Sequence, residues 1–240
     1  MPRPHAQPPL PMEIPPTDVW LRERAARLHG HVLVAGVDEA GRGPPPTPPA
    51  RRAVLLPMGV EIPGINDSKL LNAEQREDLA IKIRAVAIAI GVGEADHLEI
   101  DTLNIAVAGR LSMRRAVEAL SLVPDYLLID GFALPEVKLP QEALIKGDRR
   151  SCSIMAGGII AKTTRDAAMR VAATMYPGYG FDEHFGYATP SHAAALRELG
   201  PCPIHRRSFH PVAVAEEVLA QPLVDAMTGP ELGVSEMAER

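Results

Sequence analysis

Four acidic residues stand where chemistry would want them. Asp38 and Glu39 are adjacent and close the apolar run Val32–Val37. Asp130 closes a second run, Tyr126–Ile129, and is followed by Gly131; Asp148 ends the stretch Ile145-Lys146-Gly147-Asp148. Clustered carboxylates repel one another unless a cation lies among them. An all-oxygen donor set suits hard ions such as Mg2+ or Mn2+. Four acids can hold two such ions about 4 Å apart, the arrangement used for in-line phosphoryl displacement. Any one of these acids taken alone is more often a helix cap or a solvated loop residue, and spacing does not show that they converge. Neighbours in a regular strand point to opposite faces, so Asp38 and Glu39 share a site only if the strand stops there. Gly41 and Gly43 would supply that break.

The elements around these acids read as an alternation of strands and helices. Thr17 is placed to cap a first helix running through Arg27. Val32–Val37 is apolar without alternation, the pattern of a strand buried on both faces. Asn72, with Gln75 three residues on, forms a capping box before a helix that carries Leu79, Ile83 and Val86 on one face. Ala87–Val92 reads as a short strand, and Met113, Ala116, Val117 and Leu120 have helical spacing. Ser153–Met175 reads as a long helix rich in Ala and Gly, suited to close packing. Ser191–Leu199 and Pro211–Leu219 read as short helices. The pattern predicts an α/β layered domain with a mixed or parallel sheet, and sites in such sheets lie at strand ends.

The chain has 240 residues and is 46% hydrophobic but only 4% aromatic, so its core must be built from Val, Ile, Leu, Ala and Met. Residues 1–16 contain seven prolines and are expected to form an extended or disordered tail. Residues 17–219 form the expected domain, and 220–240 a second tail. Cys152 and Cys202 match neither a disulfide framework nor a zinc spacing, which suits a reducing cytoplasm. No apolar stretch approaches the roughly 18 residues of a membrane span, and the N-terminus lacks the apolar segment of a signal peptide. The formal net charge of −5 neither supports nor excludes nucleic acid. A carboxylate site pulls the sum down, while basic clusters persist at Arg51-Arg52, Lys146 with Arg149-Arg150, Lys162 with Arg165, and His205-Arg206-Arg207.

Nine fragments occur in one order: "VAGVDEAGRG", "INDSKLL", "LNI", "LLIDG", "IKGD", "IIAK" with "RD", "YPGYGF", "GYAT" and "IHRRSF". Together they resemble bacterial ribonuclease HII over roughly residues 32–213. About thirty residues precede the first fragment, where the related ribonuclease HIII carries an extra domain, so HII is expected. The resemblance implies a ribonuclease H-like fold with a C-terminal helical part. It implies endonucleolytic cleavage of RNA in RNA/DNA hybrids, or at a single ribonucleotide in duplex DNA, leaving 3′-hydroxyl and 5′-phosphate ends. It makes Asp38, Glu39, Asp130 and Asp148 the catalytic acids, holding two Mg2+ or Mn2+ ions. Gly41, Arg42 and Gly43 match the family's Gly-Arg-Gly element, and Tyr187 the tyrosine that accompanies it. RNA is told from DNA by its 2′-hydroxyl, which a glycine-lined turn can approach closely. Arg42 suits a phosphate, and Tyr187 a sugar at the junction. Lys146, Lys162, Arg165, Arg206 and Arg207 are candidate phosphate contacts, each more often a solvated charge when considered singly. Asp166, four residues after Lys162, is expected to form an ion pair with it. His184 and His205 are expected to be mainly structural. A cytoplasmic monomer is expected.

The chain departs from the family pattern at 44–52. There the family runs roughly Pro-Leu-Ala-Gly-Pro into a second strand, while this sequence reads "PPPTPPARR". The form is that of a compensated reading-frame change in GC-rich DNA. Proline donates no ladder hydrogen bond, and a buried unpaired arginine costs several kcal/mol. An edge or shortened second strand is the natural alternative. Gly109, Gly158 and Phe185 replace the Thr, Ser and Lys usual in the family, each removing a polar or charged group from motifs that touch nucleic acid. An active metal-dependent ribonuclease is the leading reading. A hybrid-binding protein with impaired catalysis is the alternative, and a different phosphodiesterase, such as a junction resolvase, the third.

Overall fold

The computed structural model describes residues 18–40, 50–207 and 212–215, with the backbone alone at 39, 40 and 50. The proline-rich N-terminal tail, Thr17, Gly41–Gly43, Pro44–Pro49 and the C-terminal tail lie outside the described residues.

Helix α1 (Leu21–Leu28) leads to strand β1 (Val34–Ala40), followed by β2 (Ala50–Leu55), helix α2 (Ala73–Val86) and β3 (Ala89–Glu94). Helices α3 (His97–Leu103) and α4 (Ile105–Glu118) precede β4 (Tyr126–Asp130) and β5 (Gln141–Leu144). A single 3-10 turn, Gly147–Arg149, then feeds the long helix α5 (Cys152–Met175), and α6 (Phe181–His184) and α7 (Pro190–Leu199) follow. The five strands form one mixed sheet in the order β3-β2-β1-β4-β5. β1, β2 and β3 are antiparallel neighbours, while β1, β4 and β5 run parallel. This is the α/β arrangement with a mixed sheet expected from the alternation of elements, in keeping with the ribonuclease H-like fold that the resemblance implies.

β1 is buried on both faces, as its unbroken apolar run requires. Ala35 and Val37 pack with Ala53, Leu55, Leu127 and Ile129 against Met113, Ala116 and Val117 of α4. On the other face, Val54 meets Ala156, Ile159 and Ile160 of α5, backed by Leu79 and Ile83 of α2. A methyl group at Gly36 would lie 2.1 Å from the backbone carbon of Ser153, so only glycine lets α5 come this close to β1. The capping box of α2 forms as expected: Asn72 Oδ1 accepts from the Gln75 N–H, and Gln75 Oε1 from the Asn72 N–H. A separate apolar cluster, built from Met169, Tyr179, Phe181, Leu196 and Val212, holds α6, α7 and the 212–215 segment against the far half of α5.

The second strand is neither an edge nor shortened. β2 has six residues and hydrogen-bonds to β1 on one side and β3 on the other. Arg51 and Arg52 lie inside it, each only 1% exposed. Neither is left without a partner, but Arg51 Nε makes no hydrogen bond and burial lowers the Arg52 pKa, so the pair carries a desolvation cost. Arg52 donates from Nη1 to the Arg51 carbonyl at 2.8 Å, and its Nη2 lies 3.8 Å from Glu94 Oε1. Arg51 takes space vacated on α4: a Cβ at Gly109 would be 3.0 Å from its Nη2. Two of the departures from the family pattern, Arg51 and Gly109, are therefore sterically matched.

Candidate active site

The sheet register brings the acids together. β1 and β4 run parallel with Val37 opposite Ile129. Both of those side chains face α4. Asp38 and Asp130 each follow by one residue, and the pleat turns both toward α5. Asp148 arrives from the turn that precedes α5. The Gly147 N–H donates to Asp130 Oδ1 at 2.7 Å and ties that turn to the end of β4. Asp38 and Asp148 are buried at 5% and 6% exposure. β1 continues through Ala40, with Glu39 in register opposite Arg51, so the strand does not stop at the paired acids as expected. The side chain of Glu39 and the residues Gly41, Arg42 and Gly43 are not among those described.

The charge balance of this end of the sheet rests on a residue that sequence reasoning passed over. Lys69 donates from Nζ to Asp148 Oδ2 at 2.6 Å. Burial pulls its pKa down, but the hydrogen bond and charge of Asp148, with the charges of Asp67 and Asp38, outweigh that and leave it raised. Asp67, 1% exposed, places the lysine: its Oδ1 accepts the Lys69 N–H at 2.9 Å, and its Oδ2 lies 3.2 Å from Arg149 Nε. The signal was present in the Asp-Ser-Lys of "INDSKLL", to which no role was given. Burial, and then the charge of Asp148, push the Asp130 carboxyl above its ordinary range; the Gly147 N–H and Lys69 offset this in part. Among the described residues no three acidic, His or Cys side chains converge as a ready-made ligand set. The donor chemistry nevertheless fits a hard cation. Asp38, Asp130 and Asp148 are oxygen donors brought to one end of the sheet, and burial, then the charge of Asp148, disfavour a bare carboxylate at Asp130.

Helix α5 links the acids to a second cluster. Gly157 and Gly158 lie over Asp38, and a Cβ at 158 would come within 2.3 Å of Asp38 Oδ2. Positions 158, 162 and 165 recur at helical spacing on one face. Lys162 Nζ donates to Asp166 Oδ1 at 2.7 Å, the expected ion pair, and reaches the Tyr187 hydroxyl at 3.3 Å. It lies 4.8 Å from the Tyr187 ring centre, and the Arg165 guanidinium carbon 4.4 Å from it. Arg165 Nη2 donates to the Phe185 carbonyl at 2.7 Å, so Phe185 enters the cluster through its backbone. The structure thus gathers Tyr187, Lys162 and Arg165, with Arg206 close enough to Arg165 to feel its charge. Arg165 and Arg206 are buried at 1% and 5% exposure. Burial, and then the charges of Arg165 and Arg51, lower the Arg206 pKa to about 10, with Asp101 acting in the opposite sense. Lys146 and Arg207 are exposed.

The family model for ribonuclease HII matches residues 35–212. The chain belongs to the ribonuclease HII family. It is 49% identical over 204 residues to ribonuclease HII of Geobacter metallireducens, covering 85% of this chain and 96% of that one. It is 50% identical over 194 residues to ribonuclease HII of Bacillus licheniformis, covering 81% and 76%. Among solved structures it resembles ribonuclease H2 of Pyrococcus horikoshii, with a TM-score of 0.68 and 26% identity over 79% of this chain and 99% of that one. Bst-RNase HIII in complex with Mn2+ shares the fold at a TM-score of 0.62 and 17% identity, covering 82% and 73%. Ribonuclease HII membership makes the protein an enzyme, a metal-dependent endoribonuclease of the H type. Among the described residues no helix is long and apolar enough to cross a membrane.

Proposed function

We propose that the protein hydrolyses the RNA strand of RNA/DNA hybrids and cuts on the 5′ side of ribonucleotides embedded in duplex DNA, leaving 3′-hydroxyl and 5′-phosphate ends. The observation that carries the reading is the shared face of Asp38 and Asp130, closed by Asp148 across the Gly147–Asp130 hydrogen bond. Asp38, Asp130 and Asp148 would hold two divalent ions, Mg2+ or Mn2+, with Glu39 joining them from the side of β1 left open where its pairing with β4 ends at Val37. Such ions supply an attacking water of lowered pKa and neutralise charge on the leaving oxygen. Lys69 holds Asp148 and offsets the charge of the acids. Tyr187 offers a partly exposed ring and hydroxyl to a sugar, held by Lys162 and Arg165. Gly41, Arg42 and Gly43 would complete ribose and phosphate recognition, and the exposed Lys146 and Arg207 would meet the backbone phosphates of the duplex. Lys162, Arg165 and Arg206 support that surface from beneath. The working form is a cytoplasmic monomer.

The test is cleavage of duplex DNA containing one ribonucleotide, with Mg2+ and Mn2+ supplied separately and EDTA as control. The expected product is a single cut 5′ of the ribonucleotide, lost with EDTA. A folded protein that binds the duplex without cutting it would instead be a hybrid-binding protein with impaired catalysis. The losses at Gly158 and Phe185 favour that second reading. Cleavage of an all-DNA branched substrate would point to a resolvase.

A further inference from the structure

Three imidazoles, His184, His192 and His205, are buried together beneath Tyr187, at 8%, 3% and 3% exposure. His184 and His192 stack with ring centres 4.6 Å apart, and His192 and His205 lie 5.4 Å apart. Their hydrogen bonds admit one assignment of protons. The Gly186 N–H points at His184 Nδ1 at 3.1 Å, so that nitrogen accepts and Nε2–H donates to the Tyr179 carbonyl at 2.7 Å. The Cys202 N–H points at His205 Nδ1 at 3.0 Å, so His205 carries its proton on Nε2. That N–H faces His192 Nε2 at 3.2 Å, which must accept. The His192 proton is therefore on Nδ1, and it donates to the Tyr187 carbonyl at 3.0 Å. All three rings are neutral, and every ring nitrogen is used.

The chain of donors ends on Tyr187. Its N–H donates to the His184 carbonyl at 2.8 Å, and its own carbonyl accepts from His192 Nδ1 and from the Thr189 N–H. We propose that His192 is a positioning residue for Tyr187, and that His184, His192 and His205 form a neutral relay that holds the tyrosine in place and releases it in acid. The inference rests on the reading of Tyr187 as a substrate contact. A second proton on any ring would turn its acceptor nitrogen into a donor facing another N–H, so the relay cannot be charged and kept. The groups facing it are His97, Asp101 and Arg207, across a cavity of about 330 Å3 that reaches His205. Cys202 Sγ lies 3.0 Å from His205 Nδ1, and the Tyr179 ring packs on His205. Burial, and then the neighbouring imidazole, hold His205 down to about 4 and His192 below its usual value, which agrees with a relay kept neutral near pH 7.

The test is 1H–15N correlation of the imidazoles in the full chain at neutral pH, followed by an acid titration read at the His and Tyr187 ring signals. His192 is expected as the Nδ1–H tautomer, with His184 and His205 as Nε2–H, and the Tyr187 signals are expected to shift in step with His205. The substitution His192→Asn would keep a donor toward Tyr187 but no link to His205, so its Tyr187 signals should match wild type at neutral pH and lose the step. His192→Leu, lacking the donor, should lower kcat/KM on a single-ribonucleotide duplex about tenfold, the worth of one buried hydrogen bond, and His192→Asn should recover most of it. A His192 proton found on Nε2, or Tyr187 signals that stay still while His205 titrates, would overturn the relay. Both are read on wild type, so they hold even if a variant fails to fold. If instead the relay behaves as described and Tyr187→Phe cleaves normally, the substrate reading of Tyr187 fails and the relay stands.

Discussion

Gly36→Ala tests how the site is assembled. The added methyl would lie 2.1 Å from the Ser153 carbonyl carbon, 2.3 Å from the Ile154 nitrogen and 2.4 Å from the Ser153 oxygen. All three are backbone atoms, so no rotamer change relieves the clash. Restoring an ordinary 3.4 Å contact lifts α5 from β1 by about 1.3 Å, the difference between the two distances. Overpacking of this kind costs about 1–3 kcal/mol or more. A gap of about 1 Å along the rest of the seam also forfeits up to about half of each dispersion contact there. A loss of about 3–5 kcal/mol is expected, against a total of roughly 5–15 kcal/mol for a domain. The site suffers too, because Asp148 sits in the turn leading into α5 while Asp38 and Asp130 belong to the sheet. A shift of about 1 Å between them is expected to cost about 100-fold in rate. Gly158→Ala is the control. Its methyl meets the Asp38 carboxylate at 2.3 Å and Ser68 Oγ at 3.7 Å, both side chains that can move, so folding stability should stay within about 1 kcal/mol of wild type. Urea unfolding followed by circular dichroism, with equal m-values, gives both numbers. A Gly36→Ala protein within about 1 kcal/mol of wild type, or a Gly158→Ala protein just as unstable, would refute the reasoning.

Asp130→Asn should abolish cleavage, retain duplex binding and leave stability unchanged or slightly higher, since burial, then the charge of Asp148, already disfavour that carboxylate; a gel shift and a thermal melt, with and without Mn2+, check this, and equal loss of binding would contradict the assigned role. Stability should fall in acid: His205 is held at about 4 in the folded chain against about 6.5 unfolded, so the unfolded chain takes up the proton first. The contribution is intact above about pH 6.5 and lost as pH falls toward 4, roughly 3 kcal/mol from His205 alone, with His192 acting in the same direction. Urea midpoints at pH 7.5, 6 and 5 should show the slope, and a flat profile would remove the buried neutral imidazole. Asn104→Ala should cost about 2–3 kcal/mol, because Asn104 caps α4 through the Ala106 and Val107 N–H groups while holding φ at +69°; thermal unfolding measures it, and a loss under about 0.5 kcal/mol would show that the cap contributes little.

The sequence by itself determined what depends on near neighbours along the chain. The capping box of Asn72 and Gln75 closes within one turn, the Lys162–Asp166 pair within the next, and an unbroken apolar run suffices for a strand buried on both faces. The order of fragments was enough to point to the family and to name its acids. Strand β5 and helix α3 escaped notice, being only four and seven residues long. Local rules also misjudged β2, where prolines and arginines argued for an edge. Pairing on both sides and the space at Gly109 made it central, and both come from elements far away in sequence. The site itself belongs to tertiary structure. Asp38 and Asp130 share a face only because β1 and β4 pair in parallel at one register, across some ninety residues. Lys69 finds Asp148 at a separation of 79 residues. The proton order of His184, His192 and His205 exists only once burial removes the water that would otherwise satisfy each ring separately.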